Sequence, residues 1–245
     1  MKKIIPLALT LFSTATFAED NTYSAWGNVH FDWQEWGHGY SDSDFSQGLI
    51  GIEGGLNFKW GEFFGFYDYE GIDRDSGYQT ATMNLQSHVY LGNSDFTVFG
   101  KVYSTQGTEI KEQNNFIGFG HVGIGGDGWW FKPWIGANYS TVYNEFAPNT
   151  NVNGFNGGTL GWSAGYVFNA FDKTFILSNW NEYEFARNTE YSENNYGDSG
   201  VNGGLNLGVN LTDHFSATIM YRYYYNKLGS DGYGDILIYR LAYNF

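Results

Sequence analysis

The sequence predicts an all-β fold, a transmembrane antiparallel up-and-down β-barrel of about 12 strands. Three observations carry that expectation. Apolar and polar residues alternate with a period of two through most of the chain, which gives each strand two different environments. Rings are abundant, with 20 Tyr, 21 Phe and 9 Trp, yet the mean hydropathy is negative. The connections between the alternating segments are short and long in turn, as they are when one end of a barrel carries tight turns and the other carries loops.

Met1 to Ala18 reads as a secretory signal, leaving the barrel to span 19–245. Lys2 and Lys3 form its charged start, Ile4 to Phe12 its apolar stretch, and Thr16-Phe17-Ala18 a small-x-small cleavage site. The apolar stretch is too short to span a bilayer.

The strands follow in order. Ala25 to Gln34 sets Ala25, Val29, Phe31 and Trp33 against Trp26, Asn28, His30, Asp32 and Gln34. Leu49 to Trp60 turns Ile50, Ile52, Leu56, Phe58 and Trp60 outward, and Gly51, Glu53, Gly55, Asn57 and Lys59 inward. Phe63 to Glu70 turns Phe64, Phe66, Asp68 and Glu70 inward. Thr80 to Leu91 turns Thr82, Asn84, Gln86, His88 and Tyr90 inward, and Phe96 to Tyr103 does the same with Thr97, Phe99, Lys101 and Tyr103. Asn115 to Ile124 is rich in glycine and its faces cannot be read. Trp129 to Ser140 points Lys132, Trp134, Asn138 and Ser140 inward, with Pro133 costing a ladder hydrogen bond. Thr159 to Phe168 faces Leu160, Trp162, Ala164, Tyr166 and Phe168 outward. Thr174 to Phe185 ends with Glu182 and Glu184 inward. Val201 to Leu211 and Phe215 to Tyr225 alternate cleanly, the second with Arg222 inward. The last strand, from Asp235, turns Tyr239, Leu241, Tyr243 and Phe245 outward and Arg240 inward. It should pair with the first strand and close the barrel.

Short turns are expected at Gly61-Glu62, Gly92 to Asp95, Gly125 to Gly128, Asn169 to Lys173 and Thr212 to His214. Longer polar loops are expected at Trp36 to Ser46, Gly71 to Gln79, Thr105 to Asn114, Asn144 to Gly158, Arg187 to Gly200 and Asn226 to Gly234. After the signal, twelve strands of roughly ten residues leave roughly ten for each connection, whereas eight strands would need about twenty. Ten to fourteen strands bracket the count. The principal alternative to a barrel is a secreted aromatic-rich β-sandwich, but a sandwich has no reason to alternate its connections so regularly.

Losing Lys2 and Lys3 moves the formal charge from −14 to −16, which argues against nucleic acid as a partner. There is no cysteine, hence no disulfide framework and no thiolate site. Asp73 with Asp75, or Asp231 with Asp235, has the chemistry of a Ca²⁺ site, but acidic loops are ordinarily solvated or bridged to lipopolysaccharide cations; no metal and no cofactor are expected. The expected surroundings are outer-membrane lipid and lipopolysaccharide of a Gram-negative cell.

A barrel of this size is wider than one filled by side chains and narrower than a general porin. Its inward set mixes acids, bases and amides with rings. Such a lining can stack a planar ring and hydrogen-bond hydroxyls, which suits a small polar ring-containing solute; the same groups could equally just wet or plug the lumen.

The run Trp60-Gly61-Glu62-Phe63-Phe64-Gly65-Phe66-Tyr67-Asp68 resembles the W-x-x-F-x-G-[FY]-x-D segment of the Tsx-type nucleoside-specific channels and their OmpK relatives. Phe116-Ile117-Gly118-Phe119-Gly120, the Gly161 to Phe185 stretch with Asn179-Trp180-Asn181-Glu182-Tyr183-Glu184-Phe185, and the terminal Ala242-Tyr243-Asn244-Phe245 are similar to the same family. The resemblance implies a monomeric twelve-stranded barrel with a narrow channel and passive uptake of nucleosides or related solutes. It also implies loops used as a phage or colicin receptor in some members. It singles out Asp68, Phe64 and Phe66, and next Glu53, as channel-lining residues; His30, Asp32 and Arg222 join them from the inward set. Where the family carries inward acids on its fourth strand this chain has Asn84 and Gln86, with His88 as the basic group there, and Ser163, Gly165 and Val167 replace basic residues on the eighth.

Two other classes remain open on sequence alone. One is an outer-membrane hydrolase, for which His38 among Asp42 and Asp44 is the candidate pair. The other is a non-conducting receptor or structural barrel, which requires a lumen closed by side chains.

Overall fold

The structure, a computed structural model, describes residues 22–39, 45–108, 110–145, 151–194, 197–228 and 230–245. The expected signal segment lies outside the described residues, as do Asp42 and Asp44. The strands are β1 (Thr22–Trp36), β2 (Phe45–Phe58), β3 (Gly61–Glu70), β4 (Thr80–Tyr90), β5 (Phe96–Gln106) and β6 (Ile110–His121). They continue as β7 (Ile124–Gly126), β8 (Trp129–Asn144), β9 (Val152–Ala170), β10 (Lys173–Phe185), β11 (Gly200–Asn210), β12 (Phe215–Tyr225) and β13 (Tyr233–Asn244). One helix, α1 (Thr189–Asn194), lies between β10 and β11.

Every neighbouring pair is antiparallel, and the sheet closes twice over. β13 returns to β1, with Asn28 opposite Asn244 and Trp36 opposite Ile236. β6 reaches past the short β7 to pair with β8, from Ile110 opposite Asn144 to Gly120 opposite Trp134. Among the described residues closure leaves only the short β7 with a free edge, as hydrocarbon demands of the long strands, because an unsatisfied backbone group there costs several kcal/mol. The result is a closed barrel of twelve long strands with β7 as one extra.

Pro133 sits where the ladder allows it. β6 stops pairing at Trp134, and β7 takes over at Phe131, so Pro133 has a partner only on the β9 side, at Trp162. A residue without an N–H is cheapest at such a gap.

Outward residues form a belt. On β8 the outward face runs from Trp129 through Phe131 and Ile135 to Tyr139, an apolar height of roughly 25 Å for tilted strands. Rings cluster at its lower margin, with Phe58 stacked on Trp60 and Tyr166 on Phe168. Three expectations shift. The turn between β2 and β3 is Lys59-Trp60, not Gly61-Glu62. The expected loops Thr105 to Asn114 and Asn144 to Gly158 are largely strand, since β5 runs to Gln106, β6 begins at Ile110 and β9 begins at Val152. Those stretches are mostly polar where they rise above the apolar belt, with Val152 and Phe155 the apolar exceptions on β9, so alternation gives little hydropathy contrast there. The Gly-rich β6 resolves too, with Phe116 inward and Ile117 and Phe119 outward.

Candidate channel lining

The inward residues of β1, β2 and β3 lie in cross-strand rows. One row is Asn28–Glu53–Phe66 and the next is His30–Gly51–Asp68. Because Gly51 has no side chain, His30 and Asp68 meet across β2: Nε2 is 3.1 Å from Oδ1. A Cβ at position 51 would stand 2.1 Å from the Asp68 oxygen and 2.4 Å from the His30 nitrogen. His30 Nδ1 lies 3.1 Å from Asn28 Oδ1, and Asn28 Nδ2 donates to Glu53 at 3.0 Å.

Arg240 on β13 completes this wall. Its Nε and Nη2 donate to the two oxygens of Asp32 at 2.8 and 2.9 Å, while Nη1 donates to Glu53 at 2.8 Å. A guanidinium presents a fork that suits such bidentate pairing. Four of the residues chosen from sequence, His30, Asp32, Glu53 and Asp68, thus form one network.

Phe64 and Phe66 belong to a ladder of rings beside it. Trp26 leans across Gly55, where a Cβ would come within 2.5 Å of its Nε1, and reaches Phe64 with centroids 6.0 Å apart. Phe64 to Phe66 is 6.3 Å, and Phe66 to Tyr103 is 6.5 Å. The ladder climbs from the turn end of β1 to mid-height on β5. Arg222 is apart from the Arg240 network. Its Nε donates to Asn202 at 3.2 Å, its guanidinium lies 6.0 Å from the Trp180 ring, and its charge reaches Glu70 and Tyr103 across the lumen. It therefore stands opposite the top of the ladder. Trp26, Tyr103 and Arg240 are the lining residues that sequence reasoning left out of the site. Alternation marks them as inward, but only the register places them beside the others.

The lumen is also crossed. Lys101 on β5 pairs with Glu182 on β10, and Lys132 on β8 pairs with Glu62 on β3 at 2.7 Å. The inner wall of β6, β8 and β9 is covered: Phe99 stacks on Trp134 at 4.3 Å, and Asn114, Asn138, Ser140, Asn156 and Thr159 are buried. At the loop end, α1 folds inside. Tyr191 packs against Val142 and Val152, donates to Glu112 at 2.7 Å and accepts from Lys227 at 3.0 Å. Glu184 takes Arg187 and Lys227 together. Burial, with the Glu112 and Glu184 carboxylates nearby, pushes the Tyr191 hydroxyl well above the usual tyrosine range. By contrast, Phe64, Phe66, Trp180, Asn206 and Arg222 keep partial exposure. These partly exposed inward residues lie off-centre, on the ring ladder and on β10–β12, with Arg222 reaching Tyr103 between them.

The expected partners of His38, Asp42 and Asp44, lie outside the described residues. His38 lies at the outer rim with Nδ1 3.4 Å from Asp235, which also accepts from Tyr221 at 3.1 Å.

A closed barrel with a lipid-compatible exterior and a polar, partly open lumen defines the class of outer-membrane channels. The sequence family described as nucleoside-specific channel-forming protein, Tsx, matches residues 23–245, and the chain belongs to that family of the Gram-negative outer membrane. Among solved structures it is similar to the NanC porin at 7% identity and a TM-score of 0.53, covering 88% of this chain and 98% of that one. The KdgM porin in complex with oligogalacturonate matches at 10% identity and a TM-score of 0.45, covering 88% and 98%. An outer-membrane channel of Pseudomonas putida F1 matches at 9% and 0.43, covering 92% and 96%. Of these likenesses, the one to NanC supports the fold.

Proposed function

We infer that this protein is a passive channel for nucleosides and related small polar solutes that contain a planar ring. The observation that carries this reading is the ladder Trp26–Phe64–Phe66–Tyr103 running beside Glu53, Asp68 and Glu70. Ring faces stack bases without regard to sequence, at about 1–3 kcal/mol per contact. Carboxylates and amides accept and donate to sugar hydroxyls. Steps of about 6 Å between ring centroids let a solute hold the next ring before leaving the last. Several weak sites in series permit both entry and exit, which one tight site does not.

Planar-bilayer recording tests the reading. The protein should conduct, and added nucleoside should reduce the current in a dose-dependent way. Replacing both Phe64 and Phe66 with Ala should raise the half-blocking concentration by about fivefold or more, the equivalent of one lost stacking contact. Current that no nucleoside reduces would sink the solute assignment, and an absence of current would sink the channel itself.

A further inference from the structure

The strands β5, β6 and β8 rise above the apolar belt, and their outward faces change character there. Asn115 is level with Tyr139, the upper ring of the belt on β8. One outward step higher Gln113 faces Thr141, and above that Lys111 faces Tyr143. With Gln106 these side chains line a groove of about 380 Å³. The Lys111 ammonium lies 5.9 Å from the Tyr143 ring centroid, and among the described residues it has no carboxylate partner. The sixth lining residue, Glu112, is turned inward and committed to Tyr191 and Asn114.

The other cations of the described residues are placed differently. Lys101, Lys132, Arg187, Arg222, Lys227 and Arg240 point into the lumen or its mouth. Arg74 covers the Phe45 ring and donates to Ser46 O, and Lys59 and Lys173 lie at the turn end. Lys111 is therefore the one outward cation on a strand at the level of the outer-leaflet headgroups.

We propose that this groove binds the phosphorylated sugar headgroup of an outer-leaflet glycolipid. Lys111 meets a phosphate; the amides of Gln106 and Gln113 and the hydroxyls of Thr141 and Tyr143 meet the sugar. The position favours a lipid over a free solute, since the groove opens sideways, just above the belt, where a glycolipid presents its headgroup. It matters for a chain this acidic, with a formal net charge of −14, because cations that can meet a phosphate layer are few. The site is separate from the lumen, so it stands or falls independently of the transported solute.

The test uses folded protein in neutral detergent, titrated with a bis-phosphorylated lipid A and with the same lipid after phosphatase treatment. The phosphorylated form should bind about five- to tenfold more tightly, the effect of one lysine at an anionic lipid surface. Lys111→Gln should erase that difference, and Lys111→Arg should keep it. Lys173→Gln, at the opposite end of the barrel, should leave it intact. Gln113→Leu with Thr141→Val should weaken binding of the dephosphorylated lipid. Equal loss from Lys111→Gln and Lys173→Gln would reduce the effect to general charge and overturn the site. Full displacement of the lipid by equimolar inorganic phosphate would make it a free-anion site and overturn the lipid assignment. Failure of Lys111→Gln to fold shifts the decision to Gln113→Leu/Thr141→Val, whose unchanged binding would also overturn it.

Discussion

On β13, β1, β2 and β3 the buried inward network is built around charged groups that bond from strand to strand; on β6, β8 and β9 the buried inward contacts run mainly through amides and hydroxyls, with Glu112 and Lys132 the charged exceptions. The first wall hangs on Arg240, which holds Asp32 and Glu53 together. The second is a chain of neutral contacts: Asn138 and Ser140 donate to Asn114, and Asn156 donates to Ser140. It tolerates imperfection, because Asn138 Oδ1 and Thr159 Oγ1 are buried without a hydrogen-bond partner among the described residues. A charge in a poorly solvated place cannot be left so, since the cost of an unpaired ion far exceeds that of an unpaired amide. The charged wall is therefore the one that loses most when a partner goes, and it is also the wall beside the ring ladder.

The largest expected effect breaks that wall. Arg240→Met leaves Asp32, which is only 2% exposed, without its cation. Loss of one partner from a buried pair costs about 3–5 kcal/mol. Urea unfolding in lipid vesicles should show it, and Asn138→Ala on the other wall should cost about 1 kcal/mol or less. Equal losses would erase the distinction between the walls.

Tyr191→Phe acts where α1 ties β6 to Lys227, between β12 and β13. It removes a hydroxyl that donates to Glu112 and accepts from Lys227. Hydrogen bonds to charged groups contribute about 1.5–3 kcal/mol, and the loss should fall on α1 rather than on the barrel. Single-channel records should then show more frequent changes of conductance level, with the unfolding midpoint of the barrel held. A lowered midpoint without altered conductance would place Tyr191 in the general scaffold.

Gly51→Val sharpens the comparison at one point. The new side chain must enter the space between His30 Nε2 and Asp68 Oδ1. Overpacking of this kind costs about 1–3 kcal/mol. Because Gly51 is adjacent to the ladder rather than part of it, nucleoside block should weaken less than in the Phe64/Phe66 double variant. A Gly51→Val protein of native stability would mean that the His30–Asp68 contact does not need the gap.

Alternation made the inward face legible, and with it Asp68, Phe64, Phe66, Glu53, His30, Asp32 and Arg222, since a period of two assigns a face whatever the neighbours are. It could not say which of these residues meet. That depends on register, on the two-residue turn at Lys59-Trp60, and on the gaps at Gly51 and Gly55 that admit side chains from β1. Arg240 was legible as inward, but its role as the link between Asp32 and Glu53 arises only when β13 closes onto β1. The upper ends of β5, β6 and β9 were hidden for a different reason: above the belt both faces are mostly polar, so the strand signal fades while the hydrogen-bond ladder continues. The inward fold of α1 leaves no periodic mark at all.

The smallest expected effect concerns amides on the lipid side. Odd-numbered residues of β10 face outward, so Asn179 and Asn181 interrupt an apolar face. They are hidden locally: Tyr223 donates to Asn181 at 2.6 Å, Asn181 to Asn179 at 2.8 Å, and Asn179 to Gly204 O at 2.9 Å, while Trp162 Nε1 donates to Asn179 at 3.0 Å. The Tyr223 ring fits over Gly203, where a Cβ would come within 2.7 Å of it, and Asn181 is left 8% exposed. Tyr223→Phe keeps the ring and removes one hydrogen bond, and such bonds in membranes average about 0.6 kcal/mol. An unfolding shift of that size would extend the rule of the amide wall to hydrocarbon: neutral networks lose little when one member goes. A loss as large as that of Arg240→Met would show the opposite, that access to water rather than charge decides how much a missing partner costs.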